Sequence, residues 1–449
     1  MTLSKRLIPL LAALACSAAA LAGPVHEHRL DNGLKVLIKE DHRAPVVVSQ
    51  IWYKVGSSYE HGGITGISHM LEHMMFKGTD AYGPGEFSRI VSAAGGSDNA
   101  FTGRDYTAYY QQLAADRLET AFRLESARMR GLVLDQDEFV RERAVVEEER
   151  RLRTEDNPTS VAYEQFMATA FHASPYQHPV IGWMSDIESY RLEDLRAWYE
   201  RWYRPDNAVL VVVGDVQPAA VLELAREHFG DLPPGPDATL KPRREPDQLG
   251  ERRAVVHRPA NLPHLLLGYK VPAVGHAGES WEPYALEVLA AILDGGDSAR
   301  LPARLVRGEE LAAGVGASYD LYQRLPGLLT LSAVPTPDTS LADLESALRA
   351  EVQALQAEPV DAEELRRVQN QVVAADVYQR DSVFYQAMRL GRLETVGLDW
   401  SLHERYVERI RAVTPEQVQE VARRYLTPQR LTVTELRPES LATASPGPE

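Results

Sequence analysis

The chain has 449 residues, 44% hydrophobic and 25% charged, a globular composition that is too long for one hydrophobic core, so at least two domains are expected. A formal net charge of −16 argues against nucleic acid as a partner and provides no polybasic patch for a membrane surface. The one cysteine, Cys16, falls in a segment that reads as a leader, so the mature chain is expected to lack disulfides and to bind any metal through histidine and carboxylate.

The leader reading rests on Lys5 and Arg6, an apolar stretch over 7–15, and Ala20-Leu21-Ala22 as a small-x-small cleavage site. Residues 1–22 are therefore expected to be a signal peptide cleaved after Ala22, which sends the protein to the periplasm or outside the cell. A lipoprotein at Cys16 is the lesser alternative, because Ala13-Leu14-Ala15 matches a lipobox poorly. With the leader gone, no membrane span is expected.

The Asp31-Asn32-Gly33 turn leads into a strand over 34–38, and 46–55 is a second β-rich run. The pattern predicts a helix from about Ile64 to Gly78, a strand within 100–113, and helices over 115–130, 135–155 and 158–172. A helix over 193–203 then feeds a strand over 208–213. Five prolines within 232–250 mark a linker.

Beyond the linker the order repeats. Strands are expected over 265–269 and 327–334, and helices over 284–293, 340–357, 361–378 and 382–396. The closing helix over 416–425, Pro428 and strand over 431–434 mirror 193–203, Pro205 and 209–213. The expected fold class is α+β, in two duplicated halves, each a mostly antiparallel sheet packed with helices. The expected domains are 23–231 and 251–440, with a flexible tail over 441–449.

The chemistry concentrates in His69-Met70-Leu71-Glu72-His73. On a helix, positions i and i+4 share a face, so both imidazoles can reach one Zn²⁺. Glu72 points into the same space as a general base, the reverse of the H-E-x-x-H order. Five residues alone could be an ordinary helix start. The apolar residues Met70, Leu71, Met74, Met75 and Phe76 give the helix a core face, and Gly62, Gly63 and Gly66 permit a close approach before it.

The string from Ile64 to Thr79 resembles the signature of the pitrilysin-type inverzincin metallopeptidases, and the resemblance extends over the mature chain, including its two-half layout. It implies the metalloenzyme fold of the pitrilysin and processing-peptidase type, with one zinc per chain. It implies a third ligand on a later helix. Aligning Glu142-Arg143 with that helix places the ligand at Glu149, 76 residues beyond His73 (149 − 73), with Glu148 as the next choice in the acidic run. Glu142, seven residues earlier, matches a family glutamate that supports the site. Asn99, Ala100 and Phe101 resemble the family's edge strand beside the metal, where an extended peptide adds through main-chain hydrogen bonds.

The second half lacks these features. Its corresponding helix, over 287–296, has no histidine, and Ala375 stands where a ligand would be. The family's Arg and Tyr substrate contacts are also missing from the stretch Arg307-Gly308-Glu309-Glu310-Leu311-Ala312-Ala313. The resemblance thus implies a secreted zinc metalloendopeptidase acting on peptides or unfolded proteins as the catalytic subunit of a heterodimer, with a homologous subunit supplying the missing Arg and Tyr contacts. The alternative is a non-catalytic binding or assembly subunit that keeps the fold. Maturation of a small peptide is a third possibility that the sequence does not separate from general degradation.

Overall fold

A computed structural model describes residues 23–235 and 240–439. The expected leader, residues 236–239 of the linker and the C-terminal tail lie outside the described residues.

The first sheet contains β1 (Val25–Arg29), β2 (Lys35–Glu40), β3 (Val46–Tyr53), β4 (Ser97–Thr102), β5 (Thr107–Ala114) and β6 (Ala208–Gly214), in the order β1-β2-β6-β3-β5-β4. The second contains β7 (Arg252–Pro259), β8 (His264–Val271), β9 (Ala312–Tyr319), β10 (Gly327–Pro335) and β11 (Leu431–Glu439), in the order β7-β11-β8-β10-β9. Setting β1 aside, the two orders correspond strand for strand. Only β2–β6 and β7–β11 run parallel, again in corresponding places. This is the mostly antiparallel, duplicated α+β architecture expected from the sequence.

Each sheet buries one face against helices of its own half. In the first, Val36, Ile38, Ile51 and Leu210 meet Met70, Leu71, Phe122 and Leu195. In the second, Leu267, Leu331 and Val433 meet Leu289, Leu293 and Leu348.

The opposite faces are covered by exchange. Helix Val383–Thr395, from the second half, places Ala387 and Leu390 against Trp52, Val209 and Val211 of the first sheet. A Cβ at Gly391 would lie 2.2 Å from Trp52 Nε1, so only glycine admits the indole there. In return, helix Pro158–Ala170 covers the second sheet, with Phe166 against Leu266 and Leu328, and Val161 against Val256 and Leu436. Because these sheets are buried on both faces, strands such as Ala208–Gly214 read as continuous apolar runs, without alternation.

Some boundaries differ from the sequence reading. The helix expected from Ile64 starts at Ile67, after Gly66 in the left-handed region. The helix expected over 135–155 ends at Arg150 and continues as a π-type turn over Arg151–Glu155. The strand expected within 100–113 is a hairpin, β4 and β5, turning at 103–106. Helices Glu86–Ala93 and Pro218–Phe229 and strands β7 and β9 are additional.

Candidate metal centre

Helix Ile67–Met74 lacks a conventional side-chain cap. Glu60, fully buried, serves instead: its carboxylate accepts the backbone N–H of Gly66 at 2.6 Å and of Ser68 at 2.9 Å. Burial pushes the Glu60 carboxyl up to about 7 against the pull of those two donors. Met70, Leu71 and Met74 are completely buried. Their packing fixes the rotation of the helix and turns His69, Glu72 and His73 to the other side.

Helix Gln136–Arg150 begins on Asp135, which accepts from the N–H groups of Asp137 and Glu138. Phe139 and Val146 bury its apolar side. Glu142 and Glu149, two turns apart, face the histidines.

The Nε2 atoms of His69 and His73 lie 3.8 and 3.3 Å from Glu149 Oε2. One donor atom from each of the three residues falls within 4.8 Å of the others. Glu148 points away, 60% exposed, and pairs with Arg151 at 3.3 Å. Glu149 Oε1 is held by Arg153 at 2.5 Å, which leaves Oε2 for the histidine side. Glu142 accepts from His73 Nδ1 at 2.9 Å and also pairs with Lys77. Thr102 donates its hydroxyl to Glu72 Oε2.

Electrostatics follow the burial. Burial, assisted by His73, pushes the His69 imidazole well down and keeps it neutral. The same desolvation acts on His73 but is outweighed by Glu142 and Glu149, which raise it. Burial raises Glu72 against the Thr102 hydrogen bond.

These residues fit a zinc ion. Two ligands about 2.1 Å from one tetrahedral ion stand about 3.4 Å apart, close to the two separations from Glu149. His69 is half-buried, its Nδ1 atom is buried with no hydrogen-bond partner among the described residues, and its Nε2 stands from Glu149 at a distance too long for a hydrogen bond. Two imidazoles and one carboxylate leave a coordination position open, as a catalytic site requires.

Beside this group, β4 is a sheet edge with β5 as its only strand neighbour among the described residues. Ala100 and Thr102 face the metal helix, Ala100 packing on the first core. Asn99 and Phe101 alternate to the other face, where Phe101 meets Trp52 at 5.3 Å between ring centroids. Asn99 Oδ1 accepts the Ala100 N–H at 2.8 Å. The sequence reading passed over Thr102, Lys77 and Arg153. Thr102 had a signal: a hydroxyl two residues from Ala100 on a strand must share its face.

The family described as Insulinase (Peptidase family M16) is matched over residues 35–182, and that described as Peptidase M16 inactive domain over residues 189–372. The chain belongs to the M16 peptidase family. The pitrilysin-type resemblance seen in the sequence is therefore correct. Among M16 relatives, the zinc protease PqqE of Helicobacter pylori is 39% identical over 295 residues, 65% of this chain and 66% of that protein. An uncharacterised zinc protease of Mycobacterium leprae is 28% identical over 411 residues, 91% of each. The crystal structure of a protease from Helicobacter pylori superposes with a TM-score of 0.87 at 32% identity, over 93% of this chain and 100% of that one. The M16 inactive-domain match covers much of the half in which no histidine stands at the corresponding helix, Glu282–Asp294.

Proposed function

We propose that this M16 chain is a zinc metalloendopeptidase whose ion is held by His69, His73 and Glu149. The observation that carries the reading is the convergence of those three side chains from two helices onto one point, with Glu72 beside them. Zinc bound there would supply Lewis acidity, polarising a scissile carbonyl and acidifying water.

The chain's own residues do the rest. Glu142 holds the Nδ1 proton of His73, so that Nε2 presents its lone pair. Glu72 takes a proton from the attacking water and delivers it to the leaving amine, and Thr102 orients the carboxylate through Oε2. The Asn99–Phe101 segment of β4 receives an extended peptide along its open edge through main-chain bonds, which favours unfolded segments over folded substrates. The Ala100 N–H is released from Asn99 Oδ1 when a substrate carbonyl takes its place.

The working unit is a pair of M16-type chains, the second supplying the Arg and Tyr contacts that 307–313 lacks. In support, this chain superposes on 49% of the periplasmic protease PqqL from Escherichia coli, a likeness of fold at 20% identity. The leader-like 1–22 supports action in the periplasm. The two homologous domains are 23–231 and 251–440, joined by 232–250.

The test is Glu72→Gln in the full chain, assayed with and without a co-purified M16 homologue. Retained zinc with cleavage reduced about 100-fold or more assigns Glu72 as the base. Undiminished cleavage in Glu72→Gln would remove the proposal.

A further inference from the structure

The corresponding hairpins of the two halves, β4–β5 and β9–β10, meet tip to tip. At the junction Asp105, its side chain 6% exposed, accepts Ser58 Oγ–H at 2.6 Å and Tyr176 O–H at 2.5 Å from the first half. From the second half it accepts the backbone N–H of Arg324 at 3.2 Å and its Nε–H at 3.4 Å. Arg324 Nη2 donates to Ser58 O at 2.9 Å and Oγ at 2.7 Å, and the guanidinium lies 4.3 Å from the centroid of the Tyr59 ring. Tyr176 closes the circuit by accepting the N–H of Leu325 at 3.1 Å.

The first-half tip is thus gripped on two sides. Residues 57 and 58 also donate to it, Ser57 N–H to Gly103 O and Ser58 N–H to Arg104 O. A Cβ at Gly56 would sit 2.4 Å from Gly103 O, so the two segments have no slack. Thr102 immediately precedes this tip, and its hydroxyl holds Glu72. β4 has no strand on its outer edge among the described residues, and it takes its position from β5, from the tip and from the helices beneath it, where Ser88 Oγ–H donates to Asp98 at 2.7 Å. Without the guanidinium, the buried Asp105 carboxylate would keep only the Ser58, Tyr176 and Arg324 backbone donors, and the loss of its compensating charge would destabilise and loosen the tip.

We propose that Arg324 is a positioning residue for the peptide-binding edge. Through Asp105 it sets where β4 lies and hence how Thr102 meets Glu72. This rests on the reading of β4 as the substrate strand and extends it. The second half then contributes to the site of the first, because its hairpin tip organises the binding edge there. Separation of the two hairpin tips would loosen that edge without touching the histidines.

The test compares Arg324→Met, which deletes the charge, with Arg324→Lys, which keeps it without the planar fork. Both are made in the zinc-loaded full chain and assayed together with the co-purified M16 homologue, with oxidised insulin B chain as the probe peptide. For Arg324→Met, zinc content stays at the parent level, and amide-exchange protection over 97–106 falls about 10-fold while that over 67–74 is kept. KM rises about 10-fold with a smaller change in kcat, and Arg324→Lys recovers part of both. If Arg324→Met does not fold, Asp105→Asn is expected to give the same pattern. Unchanged protection over 97–106, or protection lost evenly over the chain together with zinc, overturns the proposal. Should the parent chain cleave no peptide even together with a co-purified M16 homologue, the peptidase reading fails on its own, and the exchange result still decides whether Arg324 organises β4.

Discussion

Nδ1 of His73 faces Oε1 of Glu142 at 2.9 Å, while Nε2 of the same ring faces Glu149. One carboxylate therefore fixes the tautomer, and the other shares the site that the tautomer creates. Glu142→Ala is expected to weaken zinc binding about 10- to 100-fold, measured by chelator competition. Glu142→Gln, which still offers an acceptor oxygen, should lose less. Equal zinc affinity in Glu142→Ala and parent would show that the His73 ring is fixed by something else.

Gly66 and Gly182 press back to back at the start of the metal helix. Both have positive φ, +85° and +90°. A Cβ on Gly66 would stand 2.2 Å from Ile181 O, and one on Gly182 equally close to Thr65 O. Gly66→Ala therefore combines left-handed strain with a backbone clash, and a cost of about 3 kcal/mol or more is expected. Thermal unfolding should report it as a lower Tm, with reduced zinc retention because His69 follows three residues later. A Tm equal to the parent's would mean that the 181–182 segment yields freely.

Glu245 ties the linker to both halves. It accepts the consecutive N–H groups of His172, Ala173 and Ser174 and pairs with Lys270 at 2.6 Å. Burial raises this carboxyl, but Lys270 and the three amides outweigh it and hold it at about 2. Since the folded value lies below the unfolded one, its stabilisation is complete above about pH 4.5 and is lost as pH falls toward 2. In denaturant titrations across pH 2–7, Glu245→Gln should be less stable at pH 7 and show a shallower acid limb. Parallel acid limbs in variant and parent would exclude this linkage.

How much of this was legible in the sequence varied with the range of the interaction. The metal helix could be read because i and i+4 histidines over an apolar stripe are a local pattern. The repeated order of elements showed the two halves. The helix exchange could not be read: Phe166 and Leu390 look like ordinary amphipathic positions, and nothing local says which sheet they cover. Asp105 and Arg324 lie 219 residues apart, so their pairing appears only in the fold. The choice between Glu148 and Glu149 depended on helix phase to within one residue. In the fold the two side chains diverge, one toward Arg151 and one toward the histidines.

That divergence supplies the most direct test of the metal centre. Zinc is to be measured by elemental analysis on the purified full chain and on its Glu148→Gln and Glu149→Gln variants. The expected result is about one zinc per chain in the parent and in Glu148→Gln, and loss of most of it in Glu149→Gln. Full zinc occupancy in Glu149→Gln would contradict the assignment of His69, His73 and Glu149 as the ligand set.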